Sequence, residues 1–480
     1  MTLSCSIFQL NDLHGYLEPH QELFWKDGDE VYRETGGLAR ISSFIENKFE
    51  SSSRAVFLDN GDTFHGTYVP VKNKGIRMAE VMNELGIDAM TLHWEFAYGP
   101  ERVKELEDEL SYPILAINCY REEDEERLFD PYKIIERNGL KIGIIGIAAT
   151  IVDKTMPKEF SEGIYFTLGD QELPYFINLL KEEENVDLIL VLSHLGFPQE
   201  ARLAKEVDGI DVLLSGHTHN RLYEASEINN TIIYQSGCHG SFIGELNLKM
   251  KDNKIKDYRH ILNIIDKSIE EDKEITETIN KIKEPYKDYL SKKVGKSIDG
   301  LHRYNVMESK MDNLLLKSIR DFKNTQLAFS NGWRYGSPIP PDSEITVENL
   351  WQIVPANPPV STCDLKGKEI WDMMEENLEK TFSRNPYNQM GGYIKRCIGL
   401  NIYFKVENPK NERIQEIYIG DNKIQEEKYY STTYLSTQAV PRKYGKNRKT
   451  HQINAIEALK RYIKNNSPIK IGKTNSIVPI

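Results

Sequence analysis

Aspartate and histidine recur in this 480-residue chain at a few closely spaced places. Asn11-Asp12-Leu13-His14-Gly15 sets a carboxylate and an imidazole two residues apart, on one side of an extended chain. Gly61-Asp62 follows a run of β-formers, Ala55 to Asp59, and the glycine allows a sharp turn that brings Asp62 inward. Ser193-His194 closes another apolar run, and Gly216-His217-Thr218-His219 pairs two imidazoles at i, i+2 after a third. One histidine alone is ordinarily a hydrogen-bonded interior residue. Asp, His, Asp, His and His-x-His at the ends of successive apolar runs describe a metal centre instead. Oxygen and nitrogen ligands without sulfur suit Mn, Zn, Fe, Co or Ni. A carboxylate able to bridge holds two such ions ~3.5–4 Å apart, an arrangement that activates water against phosphorus or sulfur.

Ligands scattered this widely need a frame that gathers strand ends. Through about residue 265, short β-rich runs alternate with amphipathic stretches. Strands are expected at Ala55 to Asp59, Tyr112 to Asn118, Lys141 to Ala149, Val186 to Ser193 and Ile210 to Ser215. Helical patterns lie between them, at Ile76 to Leu85 and Leu173 to Glu184. In layered α/β folds ligands collect just beyond strand ends, where Asp, His and Gly are concentrated here. Residues 266–299 are strongly charged, with Ile269, Ile275, Ile279 and Ile282 at near-helical spacing, and read as a linker helix. A second unit, 300–480, carries helical patterns at Met311 to Phe322 and Gly367 to Leu378 and strand candidates at Leu400 to Val406 and Tyr429 to Leu435. The acidic run Glu122 to Glu126 reads as a surface loop, because consecutive carboxylates cannot converge on one ion from a regular element.

Composition narrows the function. With 39% hydrophobic and 28% charged residues, disorder is excluded, and no apolar run reaches the roughly 18 residues of a membrane-spanning helix. A net charge of −12, from 73 acidic against 61 basic residues, disfavours a nucleic-acid polymer as partner. The N-terminal residues show no basic segment followed by an apolar one, so export is not expected. Five cysteines, Cys5, Cys119, Cys238, Cys363 and Cys397, are odd in number and scattered, as expected of reduced thiols in a cytoplasmic protein.

The order N-D-L-H-G, L-D-N-G-D-T-F-H-G, H-W-E-F-A-Y-G, L-S-H-L-G, S-G-H-T-H resembles the calcineurin-like metallophosphoesterases. The second unit resembles the C-terminal domain of the 5′-nucleotidase family. Asn331-Gly332-Trp333-Arg334-Tyr335-Gly336 stands where that family has N-G-G-x-R, and Ile345 to Leu350 and Leu365 to Ile370 match the segments that follow. The resemblance implies a four-layered α-β-β-α sandwich, followed by an α+β domain that binds substrate. It implies two divalent ions, Mn or Zn. Asp12, His14, Asp62 and His219 would hold one, and Asp62, His93, His194 and His217 the other, with Asp62 bridging and His93 in place of the family's asparagine.

Two departures stand out. The family's catalytic histidine is Trp94 here, and the aspartate that orients it is Ala97. Loss of one such donor costs about 10²–10³ in rate, which a poor leaving group feels and a thiolate of pKa near 8.5 does not. The bacterial thiosulfohydrolases of this family also carry H-W-E-F, F-R-W-G and P-Y-Y-Q-Q-G-G segments, the last resembling Pro386 to Gly392 with Arg396. His93 and Trp94 are therefore the candidate catalytic positions, and Arg334, Tyr335, Gly391, Gly392 and Arg396 the candidate substrate contacts. The expected activity is phosphoester hydrolysis of a nucleotide or similar small anion. Hydrolysis of a sulfonate–sulfur bond, including one on a carrier-protein thiol, and a non-catalytic metal- and nucleotide-binding module are the alternatives.

Overall fold

The computed structural model describes residues 3–50, 55–391 and 393–480, which form two compact units. In the first, Leu3–Leu10 and Ala55–Asp59 are parallel neighbours, with Ala89–Met90 parallel beyond them. Phe242–Lys251 and Lys254–Ile264 complete this sheet on its antiparallel side. The second sheet runs in the order Ser226–Ile228, Thr231–Tyr234, Val212–Leu214, Leu188–Ser193, Leu140–Ile147, Tyr132–Arg137, with its four central strands parallel. Both sheets are apolar on the faces they turn toward each other. Ile7, Val56 and Leu58 of the first pack with Ile142, Ile144, Leu190 and Leu214 of the second.

Helices cover the outer faces. Ile145, Ile189 and Val191 point away from the first sheet and meet Leu173, Phe176 and Leu203 of helices Glu172–Asn178 and Phe197–Glu206. On the other side, Phe8 meets Phe44 and Phe49 of helix Leu38–Glu50. This is the α-β-β-α sandwich. Because the central strands of both sheets are parallel, their C-terminal ends can lie together, and the Asp/His loops leave from those ends.

The second unit is built on a five-stranded sheet ordered Arg396–Ile398, Leu327–Ser330, Tyr429–Tyr434, Pro359–Lys366, Lys446–Asn454. Helices Lys310–Lys323 and Gly367–Phe382 lie with it, and a smaller sheet contains Asn401–Phe404 and Ile414–Ile419. Ser309 caps the first helix by accepting from the Asp312 N–H at 3.1 Å.

Three details differ from expectation. Helix Lys273–Lys283 is not a free connector: its buried Ile275, Ile279 and Ile282 belong to the first unit, which extends to Pro285. Leu23–Arg33, a hairpin early in the chain, belongs to the second unit; Trp25 there meets His302 and Tyr304 edge-on. Tyr112 to Asn118 forms no strand and makes only single bridges, Met90 to Ile114 and Leu115 to Asp130. That stretch is apolar because it is buried, not because it is paired. Among the described residues, no helix is long and apolar enough to cross a membrane.

Candidate metal centre

Two loops leave the first sheet side by side. The N–H groups of Asp12, His14 and Gly15 donate to the carbonyls of Gly61, Asp62 and Thr63 at 3.0, 2.6 and 2.8 Å. This zipper holds Asp12, His14 and Asp62 in one place. The second sheet contributes His194 directly after Leu188–Ser193, and His217 and His219 after Val212–Leu214. Asn60 joins the sheets, donating to the carbonyls of Ser193 and Leu214 at 2.9 and 2.8 Å.

Two groups of ligand atoms result, each within 4.8 Å of one another: Asp12, His14, Asp62 and His219, and Asp62, His93, His194 and His217. Asp62 is common to both. One of its oxygens lies 3.5 Å from His14 Nε2 and 3.2 Å from His194 Nε2, and the other 3.0 Å from His93 Nδ1. His219 Nε2 lies 3.1 Å from an Asp12 oxygen and 3.1 Å from His14 Nε2. Tetrahedral ligands at metal bonds of 2.0–2.2 Å stand about 3.4 Å apart, close to the 3.0–3.5 Å spacings of these donor pairs. His93 Nε2 is buried and has no hydrogen-bond partner, which also fits a site that takes a cation.

The histidines are aimed from behind. His14 Nδ1 meets the His65 carbonyl at 3.1 Å and His194 Nδ1 meets the Asn60 carbonyl at 2.5 Å, leaving both Nε2 atoms toward the carboxylates. Five of the seven residues, Asp12, His14, Asp62, His217 and His219, have φ between 49° and 70°. Side chains rarely adopt this left-handed region, and such residues cluster at functional sites.

Charge follows the same logic. Burial raises the Asp12 carboxyl, but His219 and His194 hold it below its usual range; Asp62 is held well below by His93, His194 and His14 against the same burial. Burial pushes the His14 imidazole down to about 4. At His194 burial is overridden by Asp62 and Asp12, which pull the imidazole up to about 10. The array therefore favours positive charge at its centre.

Sequence reasoning missed the residue that clamps these loops. Glu95, 1% exposed, accepts from the N–H groups of Thr63 and Phe64 at 2.6 and 3.2 Å with one oxygen and from His93 N–H at 2.8 Å with the other. The acid in H-W-E-F was the available signal. Trp94 donates its backbone N–H to Asp62 at 2.8 Å, and its ring stacks on His65 at 4.9 Å and 19°. The indole is thus a wall beside the centre, with Ala97 in the turn that follows.

In the second unit the expected substrate residues fare unequally. Arg334 lies over the Tyr393 ring at 5.5 Å, and a side chain at Gly391 would come within 3.8 Å of its guanidinium. Tyr335 is buried and stacked on Trp333. Arg396 is a correction. It is 2% exposed, pairs with Asp312 at 2.9 Å, and donates to the carbonyls of Val306 and Asn305 at 2.7 Å. Arg303 pairs with the same carboxylate at 2.9 Å. Arg396 is consumed by this interior network rather than offered to an anion. Gly392 lies outside the described residues.

Residues 5–221 match the calcineurin-like phosphoesterase family and residues 293–439 the 5′-nucleotidase C-terminal domain. The chain belongs to the 5′-nucleotidase family of calcineurin-like phosphoesterases. It is a metal-dependent hydrolase of that family. It is 26% identical over 460 residues to a snake venom 5′-nucleotidase of Gloydius brevicauda, covering 86% of this chain and 76% of the relative. It is 24% identical over 463 residues to the trifunctional nucleotide phosphoesterase YfkN of Bacillus subtilis, covering 86% of this chain and 30% of that one. Among solved structures, sulfate thiohydrolase SoxB of Thermus thermophilus superposes with a TM-score of 0.93 at 21% identity, covering 99% of this chain and 96% of that one. A 5′-nucleotidase precursor from the same organism gives 0.86 at 21%, covering 99% of both. These superpositions speak for the fold.

Proposed function

We propose that Asp12, His14, Asp62 and His219 hold one divalent ion and Asp62, His93, His194 and His217 a second, with Asp62 bridging. Manganese and zinc suit this mixed nitrogen and oxygen set. When bound, such a pair polarises a phosphoryl oxygen and lowers the pKa of water. The chain's own residues supply the rest. The imidazoles held by the His65 and Asn60 carbonyls keep the donor atoms aimed, and Glu95 keeps the Asp62 and His93 loops in register. The Trp94 and His65 stack walls one side of the reacting group.

The substrate we favour is a small phosphoester, a nucleotide or a similar anion, with Arg334 as the cation that meets it. The shared Asp62 between two donor sets carries the reading. The second reading, hydrolysis of a thiosulfonate, including one on a carrier-protein thiol, is favoured by Trp94 and Ala97. With no imidazole at that position, a leaving group that departs without a proton has the advantage. Five buried cysteines held in no disulfide agree with a cytoplasmic setting. Turnover of AMP, p-nitrophenyl phosphate and a thiosulfonate by the Mn- and Zn-loaded protein tests these readings. Cleavage of the phosphate esters supports the first and of the thiosulfonate alone the second. Binding without cleavage would leave a non-catalytic metal- and nucleotide-binding module.

A further inference from the structure

Outside the two shared-aspartate groups, His20, Glu22 and His239 bring three ligand atoms within 4.8 Å of one another. Glu22 and His239 are buried and His20 is half-buried. His20 and Glu22 lie on strand His20–Lys26, and His239 sits in the turn before Phe242–Lys251. Neither ring nitrogen of His239 has a hydrogen-bond partner, although the residue is 1% exposed. A buried imidazole with both nitrogens unanswered is costly unless something else meets them. The ring packs 4.3 Å from Tyr16, 5.8 Å from His20, 5.9 Å from His14 and 6.0 Å from His219, contacts that leave both nitrogens without a hydrogen bond.

We propose that His20, Glu22 and His239 form a third divalent-cation site beside the dinuclear centre. Two imidazoles and a carboxylate are a donor set that zinc takes with one position left open. The His239 backbone N–H donates to the Asp12 carbonyl at 2.8 Å, so an ion held there would also tie down the loop that carries Asp12. Arg221 bounds its strength. Arg221 pairs with one Glu22 oxygen at 2.8 Å, and the other oxygen accepts from Ser241 Oγ at 3.2 Å. A guanidinium next to the ion lowers affinity, so this ion binds after the other two and leaves first on chelation.

The test is metal content after equilibrium dialysis of the full chain against Mn or Zn. About three ions are expected per wild-type chain, about two in His239→Gln and Glu22→Gln, and about one in Asp62→Ala, which removes the shared ligand but leaves this site. Crystals soaked in Mn should show an anomalous peak between His20, Glu22 and His239. About two ions in the wild type, an unchanged count in His239→Gln, or no peak there would overturn the proposal. Should His239→Gln fail to fold by circular dichroism, His20→Ala reads the same loss from the neighbouring strand. A drop in His239→Gln with none in Asp62→Ala would keep this site and sink the dinuclear reading instead.

Discussion

Glu95→Gln is the sharpest probe of how the centre is held. The carboxylate accepts three N–H groups, Thr63 and Phe64 on one oxygen and His93 on the other, at 1% exposure. The amide keeps one acceptor and turns the other into a donor. In either orientation it faces at least one N–H head on. One orphaned buried donor costs about 1–3 kcal/mol, so the expected loss is about 2 kcal/mol. For a unit of this size that is roughly 4–8 °C in Tm. Because His93 is the ligand set loose, the ion at His93, His194 and His217 should weaken about 10- to 100-fold and the other much less. Glu95→Ala orphans all three donors, roughly 3–9 kcal/mol before water enters, and should not hold metal. Scanning calorimetry with and without chelator, together with Mn titration, measures both effects. An unchanged Tm and two unchanged affinities would refute the clamp.

Asp62→Ala should lose both ions of the dinuclear centre and His217→Ala one, read by elemental analysis; wild-type stoichiometry in Asp62→Ala would end the bridging assignment. Ion uptake should release a proton from His194, whose imidazole is pulled up to about 10 while His14 is pushed down to about 4. Below the His194 pKa the proton competes, so apparent affinity should rise roughly tenfold per unit between about pH 5 and 9; a flat profile, or no buffer-dependent heat in calorimetry, would contradict this. Trp94→His with Ala97→Asp should raise kcat for AMP, by up to about 10²-fold, and flatten the dependence on leaving-group pKa, whereas either change alone should do less. Asp312→Ala strands Arg303 and Arg396 and should cost roughly 3–5 kcal/mol while leaving the metal count intact. Arg334→Ala should raise KM about 10- to 100-fold at a much smaller cost in Tm than Asp312→Ala; the opposite pattern for these two variants would reverse their roles.

Six of the seven clustered Asp and His residues were legible because each follows a strand, and parallel strands deliver their ends to one edge; His93 was legible only through the family resemblance. The layered α/β arrangement followed from the same alternation, and the α-β-β-α sandwich from the resemblance. Arg396 was not legible: a conspicuous arginine near a glycine pair looks like an anion contact until Asp312, eighty-odd positions earlier, is seen to claim it. The helix at Lys273–Lys283 showed its charge plainly, but which unit its isoleucines covered depended on partners far away in sequence. Glu95 and the trio His20, Glu22 and His239 carry no periodicity. Their meaning lies in backbone N–H groups and in loops that meet only after folding.

Five of the candidate ligands sit in a backbone region that side chains resist. At up to roughly 1–2 kcal/mol per such residue, glycine at those positions would relax the fold while erasing its chemistry. A laboratory selection for heat resistance alone would therefore drift toward inert variants, with changes gathering at Asp12, His14, Asp62, His217 and His219 first. Any breeding scheme for a sturdier version has to screen for turnover in every round, because in this molecule endurance and competence pull on the same five peptide units.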